Sequence, residues 1–102
     1  MLELRPTCET CNAPLPPNAR DARICTYECT FCAACVDTVL MNVCPNCGGE
    51  LVRRPIRPME EYRPGEGLRL NPPGTTRRHT KHAQESIAAL TAKLKDIPAH
   101  QR

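Results

Sequence analysis

Eight cysteines crowd between Cys8 and Cys47 in a chain of 102 residues, and none lies outside that stretch. They run Cys8-x2-Cys11, thirteen residues, Cys25-x3-Cys29-x2-Cys32-x2-Cys35, eight residues, then Cys44-Pro45-Asn46-Cys47. A CxxC turn aims two sulfurs at one tetrahedral ion, and a thiolate is a soft donor that suits zinc or iron. Eight ligands are enough for two sites of four. The chain has little else to fold around: Leu, Ile, Val and Phe together number 18, with a single Phe and no Trp. Burial on that scale does not offset the entropy of ordering the backbone, so a small unit of this kind needs staples.

Disulfides and metals are the two available staples, and the N-terminus bears on the choice. Met1 to Thr7 includes Glu3, Arg5 and Pro6 and has no apolar core of the sort a secretory leader requires. The expectation is a cytoplasmic, reducing setting in which the cysteines hold two Zn2+ ions rather than pair with one another. No stretch approaches the ~20 apolar residues of a membrane span, so no membrane partner is expected.

Charge divides the chain. Residues 1–50 carry a formal −3 and residues 51–102 a formal +6, which together give the net +3. Four thiolates around one Zn2+ leave a local charge of −2, so metal loading makes the first half more acidic still.

The spacing of apolar residues suggests a few short elements. Leu2 and Leu4 alternate with charges before Pro6, and Ala22 to Tyr27 reads as a short strand around Ile24. Val36, Val39, Leu40 and Val43 recur at three and four residues, predicting a two-turn helix from Ala33 to Met41 that Pro45 stops. Glu50 to Arg53 suggests a closing strand after Gly48 and Gly49. The expected division is a zinc-binding finger over 1–54, a flexible linker rich in Pro, Gly and Arg over 55–79, and an amphipathic helix over 80–97. Thr80 is the expected N-cap of that helix, with Ala83, Ile87, Leu90 and Leu94 on one face. The fold class is therefore a small metal-stabilised α+β finger, RING-like or treble-clef, with short strands and one short helix, followed by a flexible tail with a C-terminal helix.

Three arrangements of ligands suit the spacing. In the interleaved one, Cys8, Cys11, Cys32 and Cys35 hold the first zinc, and Cys25, Cys29, Cys44 and Cys47 hold the second. In the sequential one, Cys8, Cys11, Cys25 and Cys29 share an ion and the other four share its neighbour. The third is an iron-sulfur cluster, since Cys25-x3-Cys29-x2-Cys32 has radical-SAM spacing and Cys29-x2-Cys32-x2-Cys35 resembles part of a ferredoxin run. The interleaved pattern resembles the RING-type finger at every gap, including the proline of the last knuckle at Pro45. A closer resemblance lies in CETC, DARICTYECTFCAACV and CPNCGGELVRRP, which look like a small bacterial family known only as domain of unknown function 1272, over roughly residues 1–57. That likeness implies the zinc-finger fold and implies no activity.

The catalytic readings are thin. Where ubiquitin ligases of the RING type carry an aliphatic residue, a large apolar residue and a basic linchpin, this chain has Glu9, no Trp and Gly48. His79, His82 and His100 all lie in the tail, and Ser86 is the only serine, so no nucleophile and base pair presents itself. His79-x2-His82 reads as two solvated polar residues rather than a metal site, and redox use of a CxxC competes with its use as a ligand. The expected function is a non-catalytic module without a small-molecule substrate. A protein-protein interaction adaptor is favoured, with Ile87, Leu90 and Leu94 as a second docking element. The alternative is nucleic-acid binding through Arg53, Arg54, Arg57, Arg77 and Arg78.

Overall fold

The computed structural model describes residues 1–102. Three short strands form one antiparallel sheet in the order β2-β1-β3: β1 is Ala22–Ile24, β2 is Thr30–Cys32 and β3 is Val52–Arg53. Arg23 faces Phe31 on one side and Arg53 on the other. The strand around Ile24 and the closing strand thus form where the sequence places them. Leu2 and Leu4 form no strand; Leu4 is instead buried.

The helix α1 (Ala33–Cys35) begins at Cys32, whose sulfur accepts the Cys35 amide at 3.5 Å, as an N-capping acceptor does. It does not continue as a regular helix. Val36–Leu40 widens into a π-helical turn, closed by the Met41 amide donating to Val36 O. Met41 and Asn42 then adopt left-handed backbone (φ 48° and 63°) and end it. Pro45 therefore does not stop the helix; it lies further on, buried in the last knuckle.

The core is built of thiols as much as hydrocarbons. Of the twelve residues in its main cluster, five are cysteines, packed with Leu15, Phe31, Val36, Leu40, Leu51 and Ile87 among others. Phe31 is fully buried and is the only phenylalanine. Phe31→Ala is expected to cost about 3–5 kcal/mol, read as a lowered thermal midpoint of the metal-loaded chain. A loss under ~1 kcal/mol there would show that the ring does not fill the core.

Composition points to a flexible linker after Arg54, but the structure lays this segment along the finger. Arg57 donates to Leu2 O and to Asn71 O, both at 2.7 Å, and the Gly74 amide donates to Leu4 O at 3.0 Å. The Thr80 amide donates to Glu9 O at 2.9 Å. Backbone hydrogen bonds hold a segment that has no apolar core of its own.

The tail then enters α2 (Gln84–Leu94), shorter than the pattern suggests. Ala83, not Thr80, occupies the N-cap and offers no side-chain cap, because Thr80 is engaged elsewhere. The face of α2 that carries Ile87 packs on the π-turn of the finger, and Ile87 joins the core cluster. Leu94 comes close over the last knuckle: a Cβ at Gly48, which holds φ +79°, would lie 3.1 Å from Leu94 Cδ1. Only glycine satisfies both that backbone and that approach. Ile87 of the α2 stripe is thus seated in the finger core and Leu94 lies against the last knuckle, while Leu90 stays half-buried. No helix is long and apolar enough to cross a membrane.

Candidate metal centre

Antiparallel pairing of β1 with β2 carries Cys32, at the end of β2, back beside the first knuckle, and α1 turns Cys35 toward the same point. The sulfurs of Cys8, Cys11, Cys32 and Cys35 consequently lie within 4.8 Å of one another. Those of Cys25, Cys44 and Cys47 form a second group by the same measure. The structure thus gathers the first cysteine pair with the third, and Cys25 of the second with the fourth, rather than neighbours along the chain.

The donor set fits a tetrahedral ion. With metal-sulfur bonds of about 2.3 Å, the edge of a tetrahedron of sulfurs is about 3.8 Å. Cys11 Sγ stands 3.7 Å from Cys32 Sγ. Backbone amides turn toward the thiolates, as the knuckle geometry requires: Tyr27 N donates to Cys25 Sγ at 3.3 Å and Gly49 N to Cys47 Sγ at 3.4 Å. Such bonds delocalise the charge that four thiolates bring together.

Cys29 stands outside the second triangle of sulfurs, with its thiol against Cys44 and Cys25. Its spacing is the physical reason. Three residues separate it from Cys25 where the other knuckles have two, and Glu28 takes up the extra length in left-handed backbone at φ 69°.

Proton affinities follow the same grouping. Burial raises the Cys8 thiol, but the Thr10 hydroxyl at 3.2 Å and backbone amides outweigh it and bring the pKa down to about 7. Burial pushes its neighbour Cys35 up to about 12, with the Cys8 charge adding to the effect. In the second group, hydrogen bonding from Cys44, and then from Asn46, lowers Cys29 to about 5, while Cys44, the donor in that pair, is raised. Cys8 and Cys29 are thus the readiest to ionise while Cys35 and Cys44 hold their protons, which a metal ion would displace on binding.

Between the two groups lies a polar hub that no sequence signal marked. Glu9, directly after Cys8, is 3% exposed. Its carboxylate accepts Thr30 N at 2.7 Å, Arg5 Nη1 at 2.9 Å and Asn46 Nδ2 at 3.1 Å. Asn46 belongs to the last knuckle, and its Oδ1 accepts the Thr80 hydroxyl at 2.7 Å. One carboxylate therefore ties the first knuckle, β2, the last knuckle and the tail together, and Arg5 neutralises it beside the thiolates.

The chain matches the family described as protein of unknown function (DUF1272) over residues 1–57, more than half its length. The chain belongs to this family. An uncharacterized protein of Rhizobium meliloti (strain 1021) is 56% identical over 77 residues, covering 72% of this chain and 92% of the relative. That alignment is longer than the 57-residue family match, so the likeness of this DUF1272 member to its relative runs beyond the finger into the tail laid along it. No solved structure matches the chain.

The remaining residues singled out in the sequence are dispersed. His79 and His82 line the cleft between α2 and the finger and belong to neither sulfur group. Ser86 is exposed on α2, and His100 on the 3-10 turn Ala99–Gln101. Arg53, Arg77 and Arg78 are exposed. Arg54, by contrast, is 1% exposed and donates to the carbonyls of Arg5, Leu15 and Pro16. With Arg57 also turned inward onto Leu2 and Asn71, two of the five arginines expected to follow a phosphate backbone are used within the fold.

Proposed function

We propose that this DUF1272 chain is a non-catalytic, cytoplasmic zinc-binding module that serves as a protein-protein interaction adaptor. Two Zn2+ ions would be held in the interleaved arrangement, one by Cys8, Cys11, Cys32 and Cys35 and the other by Cys25, Cys29, Cys44 and Cys47. The observation that carries this reading is the gathering of Cys8 and Cys11 with Cys32 and Cys35, and of Cys25 with Cys44 and Cys47. That grouping takes seven of the eight thiols, and Cys29, whose thiol lies against Cys44 and Cys25, would complete the second site and leave none as a free nucleophile or redox centre. When bound, each ion would supply a closed cross-link rather than an open coordination position.

The adaptor reading draws support from what the fold leaves outside. Val39 and Val52 are half exposed, and Tyr27 is 72% exposed, on a finger held rigid by its knuckles. The inward use of Arg54 and Arg57 weakens the nucleic-acid alternative.

Zinc content of single variants tests the arrangement. Cys25→Ser and Cys44→Ser should each lower bound zinc from two to one and spare the same remaining site, while Cys8→Ser should spare the other. Which site survives is read from the thiols still protected against alkylation. If Cys25→Ser and Cys8→Ser expose the same set, the pairing is sequential and the interleaved reading fails.

A further inference from the structure

We propose that Glu9 and Asn46 link the two metal sites, so that filling one raises the affinity of the other. This link rests on the two-ion reading and adds that the ions do not load independently. Glu9 stands next to Cys8 of the first set, and Asn46 lies between Cys44 and Cys47 of the second. Asn46 Nδ2 donates to Glu9 Oε1 at 3.1 Å, across 37 positions of the chain. The same residue is also pinned to β2 by two bonds: Glu9 N donates to Thr30 O at 2.9 Å, and Glu9 Oε2 accepts Thr30 N at 2.7 Å. Thr30 is wholly buried and directly follows Cys29 of the second set. Cys29, Asn46, Glu9 and Arg5 meet around one hollow. One residue beside a ligand of the first set therefore holds residues beside three ligands of the second.

An ion held by Cys8, Cys11, Cys32 and Cys35 would fix the first knuckle and the end of β2, and with them the backbone at Glu9. The carboxylate is then already aimed at Thr30 and Asn46, so the second set closes with less left to order. The converse holds to the same extent, because coupling between two binding events is reciprocal. Glu9 is 3% exposed, and a last knuckle that swings away leaves this buried carboxylate short of a donor. An unmade bond of that kind shifts an equilibrium by ~10-fold or more. Repulsion acts in the opposite sense, since each filled set of four thiolates carries a charge of −2. Arg5, at 2.9 Å from Glu9 Oε2, lies in that negative field and offsets part of it, and salt screens the rest. The direct buried bond prevails. The tail stands outside the link: the Thr80 hydroxyl donates to Asn46 Oδ1, while Glu9 takes Nδ2.

The test measures the zinc affinity of the first set in the full chain, as protection of Cys8, Cys11, Cys32 and Cys35 from alkylation across a series of zinc-chelator buffers. Cys47 is exposed, so Cys47→Ser disables the second set without opening the core. It should lower the affinity of the first set ~10-fold, although none of that set's ligands is altered. Asn46→Ala in the otherwise intact chain should lower it by as much. Added to Cys47→Ser, Asn46→Ala should lower it no further, because the link has nothing left to transmit. Thr80→Val, which cuts only the tail's bond to Asn46, should leave it unchanged. Should Asn46→Ala fail to fold, Asn46→Ser, too short to reach Glu9, replaces it. A first set indifferent to Cys47→Ser overturns the link and leaves the two-ion reading standing. The link is equally overturned if Asn46→Ala has no effect, if its effect is the same with and without the second set, or if Thr80→Val matches it. A first set that zinc never protects overturns the link and the two-ion reading together.

Discussion

Stripping metal from the chain with a strong chelator is expected to unfold the finger and, with it, α2. Structural zinc contributes on the order of 10 kcal/mol per site to folding in small domains, and here little stands behind it. The strands are three, three and two residues long, and α1 is one turn before it widens. Five of the twelve residues of the core cluster are cysteines, whose packing would depend on an ion drawing them together. Without metal, each group crowds several thiols onto one point with nothing to bind them together.

The consequence for α2 is less obvious. An eleven-residue helix is marginal alone in water, and this one lacks a side-chain N-cap. Its stability comes from seating Ile87 in the finger core and Leu94 over Gly48. Chelation should therefore abolish helical circular dichroism and amide dispersion together, in one transition, and restoring zinc should recover both. A helix signal that survives chelation would show that α2 stands without the finger.

Arg54→Met is expected to be the most damaging substitution outside the cysteines, at about 3–5 kcal/mol. Arg54 is the largest fully buried side chain of the protein. Its guanidinium meets no carboxylate within ion-pair distance; it donates to Arg5 O and Pro16 O at 2.9 Å and to Leu15 O at 3.2 Å. Burial accordingly lowers its pKa, with the more distant Asp21 charge acting in the opposite sense. Methionine fills much of the volume but leaves Arg5 O and Leu15 O without a donor, Pro16 O keeping only the Ala19 amide, and each buried orphan costs about 1–3 kcal/mol. Lysine does not rescue, because a single ammonium cannot reproduce the planar fork that reaches all three. The adjacent Arg53→Met, at an exposed position, should change stability by no more than ~0.5 kcal/mol. Thermal unfolding of the zinc-loaded variants measures both, with a drop of roughly 15 °C expected for Arg54→Met and almost none for Arg53→Met.

These two neighbours show where sequence reading succeeds and where it stops. Cysteine spacing announces its own geometry, because ligands must converge, and β1, β3 and the start of α1 follow from local apolar patterning. Nothing local distinguishes Arg53 from Arg54. Burying an arginine is a tertiary event, and a chain with one Phe and no Trp fills its interior with what remains. Glu9 is similar: its three donors come from residues 4, 21 and 37 positions away. The tail is a related case. Composition correctly denies residues 55–79 a core, yet Leu4 O, Glu9 O and Arg57 supply hydrogen bonds that composition does not record. The stripe on α2 is legible in the sequence, and the seating of its Ile87 in the chain's own finger is not.

The proposed reading rests on two metal ions held in closed sets of four sulfurs. Native mass spectrometry of the full chain, purified without added metal or chelator, asks for them directly. The account predicts a mass increment of two zinc ions per chain with no other adduct; a single ion, an apo chain that remains folded, or iron with inorganic sulfide would contradict it.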